Sequence, residues 1–214
     1  MDAFIAIQRT ASASLYKSLH KCKDIELICN QYCYPVTIND PFNIFKNFKP
    51  FNKEKYNKIY TLVRNPFDNL ISYFFTGEGV TLGWGACHLS HLFYNSPSKK
   101  ITESGGTFSN FIDDYINLKY NWHFPPIKRS MNSFIYDKSG NLIIDKYFKL
   151  ENIQELNLFL KNYKCKPLEH LNFSPRVKDI KKYNQRLYSS SQVKKLEKIW
   201  EHDLNYFNYQ YEGQ

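Results

Sequence analysis

Apolar positions along the chain alternate between short unbroken runs and helical spacing. Ala3–Ile7 (AFIAI) and the run within Lys58–Val63 (KIYTLV) are continuous, the pattern of strands buried on both faces. IELICN (25–30) and YPVTIND (34–40) are two further short strand candidates. From Ser14, Leu15 and Leu19 recur at i and i+4 and predict a helix to about Lys21. Asn65 and Pro66 suit the cap and first position of a second helix, with Leu70, Ile71 and Phe74 on one face. The stretch 77–106 has no periodicity and is long for a connection, as a lid or substrate loop would be. Thr107 then caps a helix with Phe108, Phe111, Ile112 and Tyr115 inward. NSFIYDKSGNLIIDKYFKL (132–150) predicts a hairpin, and ENIQELNLFLKNY (151–163) an amphipathic helix. A last helix starts at the Ser189–Ser191 cap with Val193, Leu196, Trp200 and Leu204 as its stripe. Alternating strands and helices predict an α/β fold with a central parallel sheet flanked by helices, in one domain over 1–214.

Composition narrows the function classes. The chain has 214 residues, 43% hydrophobic and 17% aromatic, enough for a packed core and far from a disordered composition. Its net charge of +9 favours anionic ligands. Many lysines fall in exposed-looking stretches such as NKEKYNK (52–58), which read as solvated faces. The five cysteines, an odd number with no C-x-x-C pair, suggest neither a disulfide framework nor a zinc site, so reduced thiols are expected. The first run has an acidic second residue and too few apolar positions for a signal peptide, and no stretch approaches the roughly 20 apolar residues of a membrane span. A cytoplasmic protein without a membrane span is the expectation.

Two stretches carry chemistry. In IAIQRTASASL (5–15) a strand, a small-residue loop and a helix follow one another. Unpaired amides at a helix start attract anions, and small residues let a phosphate or sulfate approach the backbone. Thr10, Ser12 and Ser14 add hydroxyls, Ala11 and Ala13 keep the loop small, and Arg9 adds a permanent cation. The stretch is not a Walker A loop, because both glycines and the lysine are missing. In LVRNPFDNLISYFF (62–75), Arg64 follows a strand at its C-terminal end, where α/β sheets bind ligands. Ser72 lies about 10 Å along the helix from Asn65, so Arg64 and Ser72 are placed to flank a second anion.

These residues resemble the sulfotransferase family. IAIQRTASASL is similar to its 5′-phosphosulfate loop, P-[KR]-[ST]-G-[ST]-[ST]-S-L, with Ala11 where glycine is usual and Arg9 where many members have lysine. LVRNPFDNLISYFF is similar to its 3′-phosphate motif, V-R-[DN]-P-x-[DE]-x-x-x-S-x-[YF]. FSNFIDDYI, GNLIIDKYFKLENI, HLNFSPR and IWEHDLNYFNY resemble later blocks of the carbohydrate sulfotransferase branch, so the likeness covers most of the chain.

The resemblance implies a P-loop-like sulfotransferase fold and a metal-independent enzyme using 3′-phosphoadenosine 5′-phosphosulfate (PAPS) and releasing PAP. Arg9, Thr10, Ala11, Ser12, Ala13 and Ser14 would hold the phosphosulfate, and Arg64, Ser72 and Arg176 the 3′-phosphate. Arg9 would also act in catalysis, electrostatically, because its pKa stays above about 12. The acceptor would be a hydroxyl of a glycan or small molecule rather than nucleic acid. For the base that takes its proton, Asp40 comes first, then His88 and His91 of the long loop, with Glu78 and His123 behind. Glu151 reads as structural, and Trp84 and Trp122 as core or sugar-stacking residues. Two rivals stand beside this reading: a non-catalytic, basic polyanion-binding relative, and a P-loop-type kinase or NTPase.

Overall fold

The computed structural model describes residues 1–7, 10–29, 52–79, 108–117, 131, 135–136, 140–168 and 185–213. The chain forms two compact units, one of Met1–Arg64 and Phe124–Asn172, the other of Asn65–His123 and Phe173–Gln214.

The first unit holds a four-stranded parallel sheet: β1 (Asp2–Ala6), β2 (Ile25–Cys29), β3 (Ile59–Val63) and β4 (Lys146–Lys149), in the order β2-β1-β3-β4. Every residue of β3, and all of β1 after Asp2, is buried, which is why their sequences are unbroken apolar runs. α1 (Ser12–Leu19) leads from β1 to β2, and α4 (Ile153–Asn162) follows β4 after a 3₁₀ turn at Leu150–Asn152. Leu15 and Leu19 of α1 and Leu156 and Leu160 of α4 share one core with Phe4, Tyr60, Leu62 and Phe148. Here the α/β class and the central parallel sheet read from the pattern are observed. The solvated-face reading holds for 52–58, where Lys53 and Lys55 are exposed in a 3₁₀ turn and Lys55 pairs with Glu26 at 2.8 Å.

Of the hairpin expected over 132–150, the described residues show the antiparallel pairing beside its turn, where the Ile143 N–H also donates to the Ile135 carbonyl at 2.8 Å, but not its second arm. Tyr136 and Leu142 make an isolated antiparallel bridge, while Lys146–Lys149 joins β3 in parallel register, Tyr60 opposite Lys146. Asp145 secures that junction: its carboxylate accepts the Ile59 N–H at 2.7 Å, and its own N–H donates to the Ile59 carbonyl at 2.8 Å. The thiols also differ from expectation. Cys22, just after α1, and Cys165, just after α4, are paired as a disulfide, with Cα atoms 6.0 Å apart. Their separation of 143 residues makes the pairing invisible to a search for local cysteine spacing. With it goes the thiol argument for a reducing compartment.

The second unit contains α2 (Pro66–Gly79), α3 (Phe108–Ile116), α5 (Ser190–Ile199) and α6 (Glu201–Phe207). α2 runs to Gly79, into the stretch expected to be irregular. Phe108, Phe111, Ile112 and Tyr115 are the buried face of α3, as its spacing predicts. α5 opens with a full capping box between Ser189 and Gln192. The single last helix is instead two, broken at Trp200, whose ring is buried and whose indole N–H donates to the Tyr115 hydroxyl at 3.2 Å. No helix among the described residues is long and apolar enough to cross a membrane. The YPVTIND strand candidate, the Thr107 cap and most of the long loop lie outside the described residues.

Candidate anion-binding site

In the sheet order β2-β1-β3-β4, the chain leaves β1 through α1 to one side and later returns to β3 on the other. The C-terminal ends of β1 and β3 therefore flank a topological switch point, where open α/β sheets place ligands. The two strands are in register, with Ala6 opposite Leu62, so their exits sit about 4.8 Å apart across the sheet. The Thr10–Ser14 loop follows β1 and Arg64 follows β3. The fold thus brings these two predicted elements to one edge of one unit.

The loop itself is a tight turn. The Thr10 hydroxyl donates to the Ile7 carbonyl at 2.6 Å, and the Thr10 N–H reaches the same oxygen at 3.4 Å. Thr10 is buried, so its hydroxyl proton closes the turn rather than serving a ligand, unlike the donor role read from the sequence. Ala11 then takes φ +57°, the left-handed region that favours glycine, and its carbonyl accepts the first helical bond, from Leu15 N–H at 2.9 Å. The amides of Ser12, Ala13 and Ser14 precede that bond and have no intrahelical acceptor. Ser14 is 2% exposed, and its hydroxyl has no hydrogen bond among the described residues. A buried hydroxyl without a partner costs about 1–3 kcal/mol, a deficit that an anionic oxygen at the helix start would relieve.

Arg64 is half-buried beyond β3. In the other unit, Asn65 is buried and accepts the Phe67 N–H at 3.1 Å, the predicted cap of α2, while Ser72 is half-buried on that helix. Arg9, Asp40, His88, His91, His123, Trp84, Trp122 and Arg176 lie outside the described residues, and Glu151 is exposed in its 3₁₀ turn.

A shallow cavity lies at the opposite, N-terminal edge of the sheet, lined by Met1, Asp2, Lys23, Asp24, Asn57 and Tyr163. Two of its lining side chains, Tyr163 and Asp2, are engaged with each other. The Tyr163 hydroxyl donates to Asp2 and touches Tyr60, and burial first, then the Asp2 bond, pushes its pKa upward. A neutral phenol held by a carboxylate is a structural lock, on the sheet edge away from the ligand end.

The chain matches no protein-family model, no curated protein and no solved structure.

The left-handed Ala11 yields a direct test. Glycine relieves roughly 1–2 kcal/mol of steric cost there but gives back about 0.4–1 kcal/mol through the unfolded chain. Ala11→Gly is expected to gain roughly 0.5–1 kcal/mol in urea unfolding, whereas Ala11→Val should lose stability. Equal behaviour of the two variants would mean that Ala11 is not left-handed.

Proposed function

We propose that this chain is a PAPS-dependent sulfotransferase, with a P-loop-like sulfotransferase fold, acting on a hydroxyl of a glycan or small molecule. One observation carries the reading. At the β1/β3 switch point, a left-handed turn whose amides have no intrahelical acceptor, with a buried Ser14 hydroxyl that has no partner among the described residues, follows the strand next to the one that ends at Arg64. The turn adopts at Ala11 the conformation that the family's glycine would supply, so the sequence departure does not remove the loop geometry. Support also comes from the blocks that resemble the carbohydrate branch, in which Asp145, Phe111, Asp203 and Phe207 hold buried or backbone-bonding positions.

In the reaction, the acceptor oxygen bonds to sulfur as the sulfur–oxygen bond to the 5′-phosphate breaks, and PAP leaves. The amides of Ser12–Ser14 and the Arg9 guanidinium offset charge on the departing phosphate oxygen. Arg64 and Ser72, with Arg176, bind the 3′-phosphate that separates PAPS from ordinary nucleotides. Asp40 or His88 takes the acceptor proton. Positioning and charge stabilisation supply the rate.

Thermal shift with PAP, adenosine 5′-phosphate and ATP tests this. At about 100 times its Kd, PAP should stabilise by about 2.7 kcal/mol, or roughly 5–10 °C in Tm. Adenosine 5′-phosphate at the same concentration should give much less. A shift with magnesium–ATP alone would favour a kinase or NTPase. No nucleotide shift, with salt-sensitive heparin binding, would favour the polyanion binder.

A further inference from the structure

We propose that the C-terminal segment Tyr209–Gly213 is a strap that fixes the first turn of α2, with Asn65 as the positioning residue joining the two. Its functional half rests on the sulfotransferase reading, in which α2 carries Ser72 toward the 3′-phosphate.

Three consecutive strap residues are tied. The Asn65 carboxamide works in both directions: its oxygen caps α2 through Phe67 N–H at 3.1 Å, and its nitrogen donates to the Gln210 carbonyl at 2.9 Å. The Tyr211 hydroxyl donates to the Gln185 carbonyl at 2.8 Å, and Glu212 N–H donates to the Gln185 side-chain oxygen at 2.5 Å. Gln185, itself 4% exposed, passes its amide to the Asp68 carboxylate at 3.3 Å, back in the first turn of α2. The Tyr211 ring also packs edge-on against Phe67, centroids 5.1 Å apart.

The strap is aimed by the end of α6. Asn208 adopts the left-handed conformation (φ +51°), and Tyr209 N–H returns to the Leu204 carbonyl at 2.9 Å, so the chain reverses out of the helix. Gly213 is closely approached: a Cβ there would stand 2.8 Å from the Gln185 carbonyl carbon. A loose tail would need neither the reversal nor this clearance. The arrangement is that of a tail built to hold one helix start at a fixed angle.

The test uses the full chain with Asn65→Asp and Gly213→Ala. Asn65→Asp keeps the oxygen that caps α2, an equally good cap, but replaces the donor to Gln210 with an acceptor. Gly213→Ala displaces the strap without touching α2, and serves if the first variant fails to fold. Amide hydrogen exchange at Phe67–Leu70 should accelerate about tenfold in both variants, with α3 unchanged. PAP should bind about tenfold more weakly, with affinity for adenosine 5′-phosphate retained. Unchanged exchange at Phe67–Leu70, or equal acceleration in α3, overturns the strap. Faster exchange with unchanged PAP affinity overturns its role in positioning the site. Failure of the unmodified chain to bind PAP sinks the sulfotransferase reading instead, and leaves the exchange result to judge the strap alone.

Discussion

Arg64→Ala is expected to weaken PAP binding roughly a hundredfold and to leave adenosine 5′-phosphate almost untouched. A guanidinium on a phosphate makes charge-assisted, often paired hydrogen bonds, and losing them costs about 3 kcal/mol, a factor of about a hundred. Half-burial strengthens the effect, because Arg64 is less screened than a surface cation. Arg64→Lys should fall between, since lysine keeps the charge but not the planar fork. The discriminating quantity is the ratio of the two affinities, measured by calorimetry on each variant. Equal losses for the two nucleotides would place Arg64 on a group they share, and the 3′-phosphate assignment would fall. A loss that vanishes at high salt would instead mark long-range attraction by the net charge of +9.

Why the end of β3 and the start of α2 were legible is a matter of local signal. A buried strand ending in Arg-Asn-Pro states its own boundary: the apolar run stops, the cap residue follows, and proline fixes the first helical position. The same holds for β1 and for the loop behind it, where even the awkward residue, Ala11, pointed to the place that turned out left-handed. What the sequence hid depends on distant partners. Lys146–Lys149 reads equally well as a hairpin arm or as a parallel edge strand, and only pairing with β3, some 86 residues away at the Asp145–Ile59 contact, decides between them. The break at Trp200 interrupts a stripe whose period continues through Leu204, so no periodicity analysis finds it. The cause is tertiary, in the buried indole and its bond to Tyr115. Asn65 announced its cap but not its second bond to Gln210, 145 residues on. Thr10 was identified as a polar group near an anion, yet its hydroxyl closes the turn, because a buried donor takes the nearest acceptor.

The second large effect falls on Phe67. Its ring is fully buried and meets three others edge-on: Trp200 at 5.1 Å, Tyr211 at 5.1 Å and Tyr188 at 5.4 Å. Edge-to-face packing adds to the burial energy, and truncation leaves a cavity walled by rigid rings that close poorly. Phe67→Ala is expected to destabilise by about 3–5 kcal/mol, lowering Tm by roughly 6–20 °C. That is a large share of the 5–15 kcal/mol typical of a folded domain. Tyr188→Phe removes only the hydroxyl bonded to the Phe67 carbonyl at 2.7 Å, and should cost about 1–2 kcal/mol. Leu158→Ala, at a side chain 67% exposed on α4, should change stability by less than about 0.5 kcal/mol. This ordering separates ring packing from hydrogen bonding as the main hold on the start of α2. If Tyr188→Phe proved as damaging as Phe67→Ala, the hold would be chiefly polar. A Phe67→Ala variant within 1 kcal/mol of the parent would mean that the four rings do not form a common cluster. Arg64 directly precedes Asn65 in the sequence, so the residue expected to read the 3′-phosphate stands immediately before the residue that caps α2.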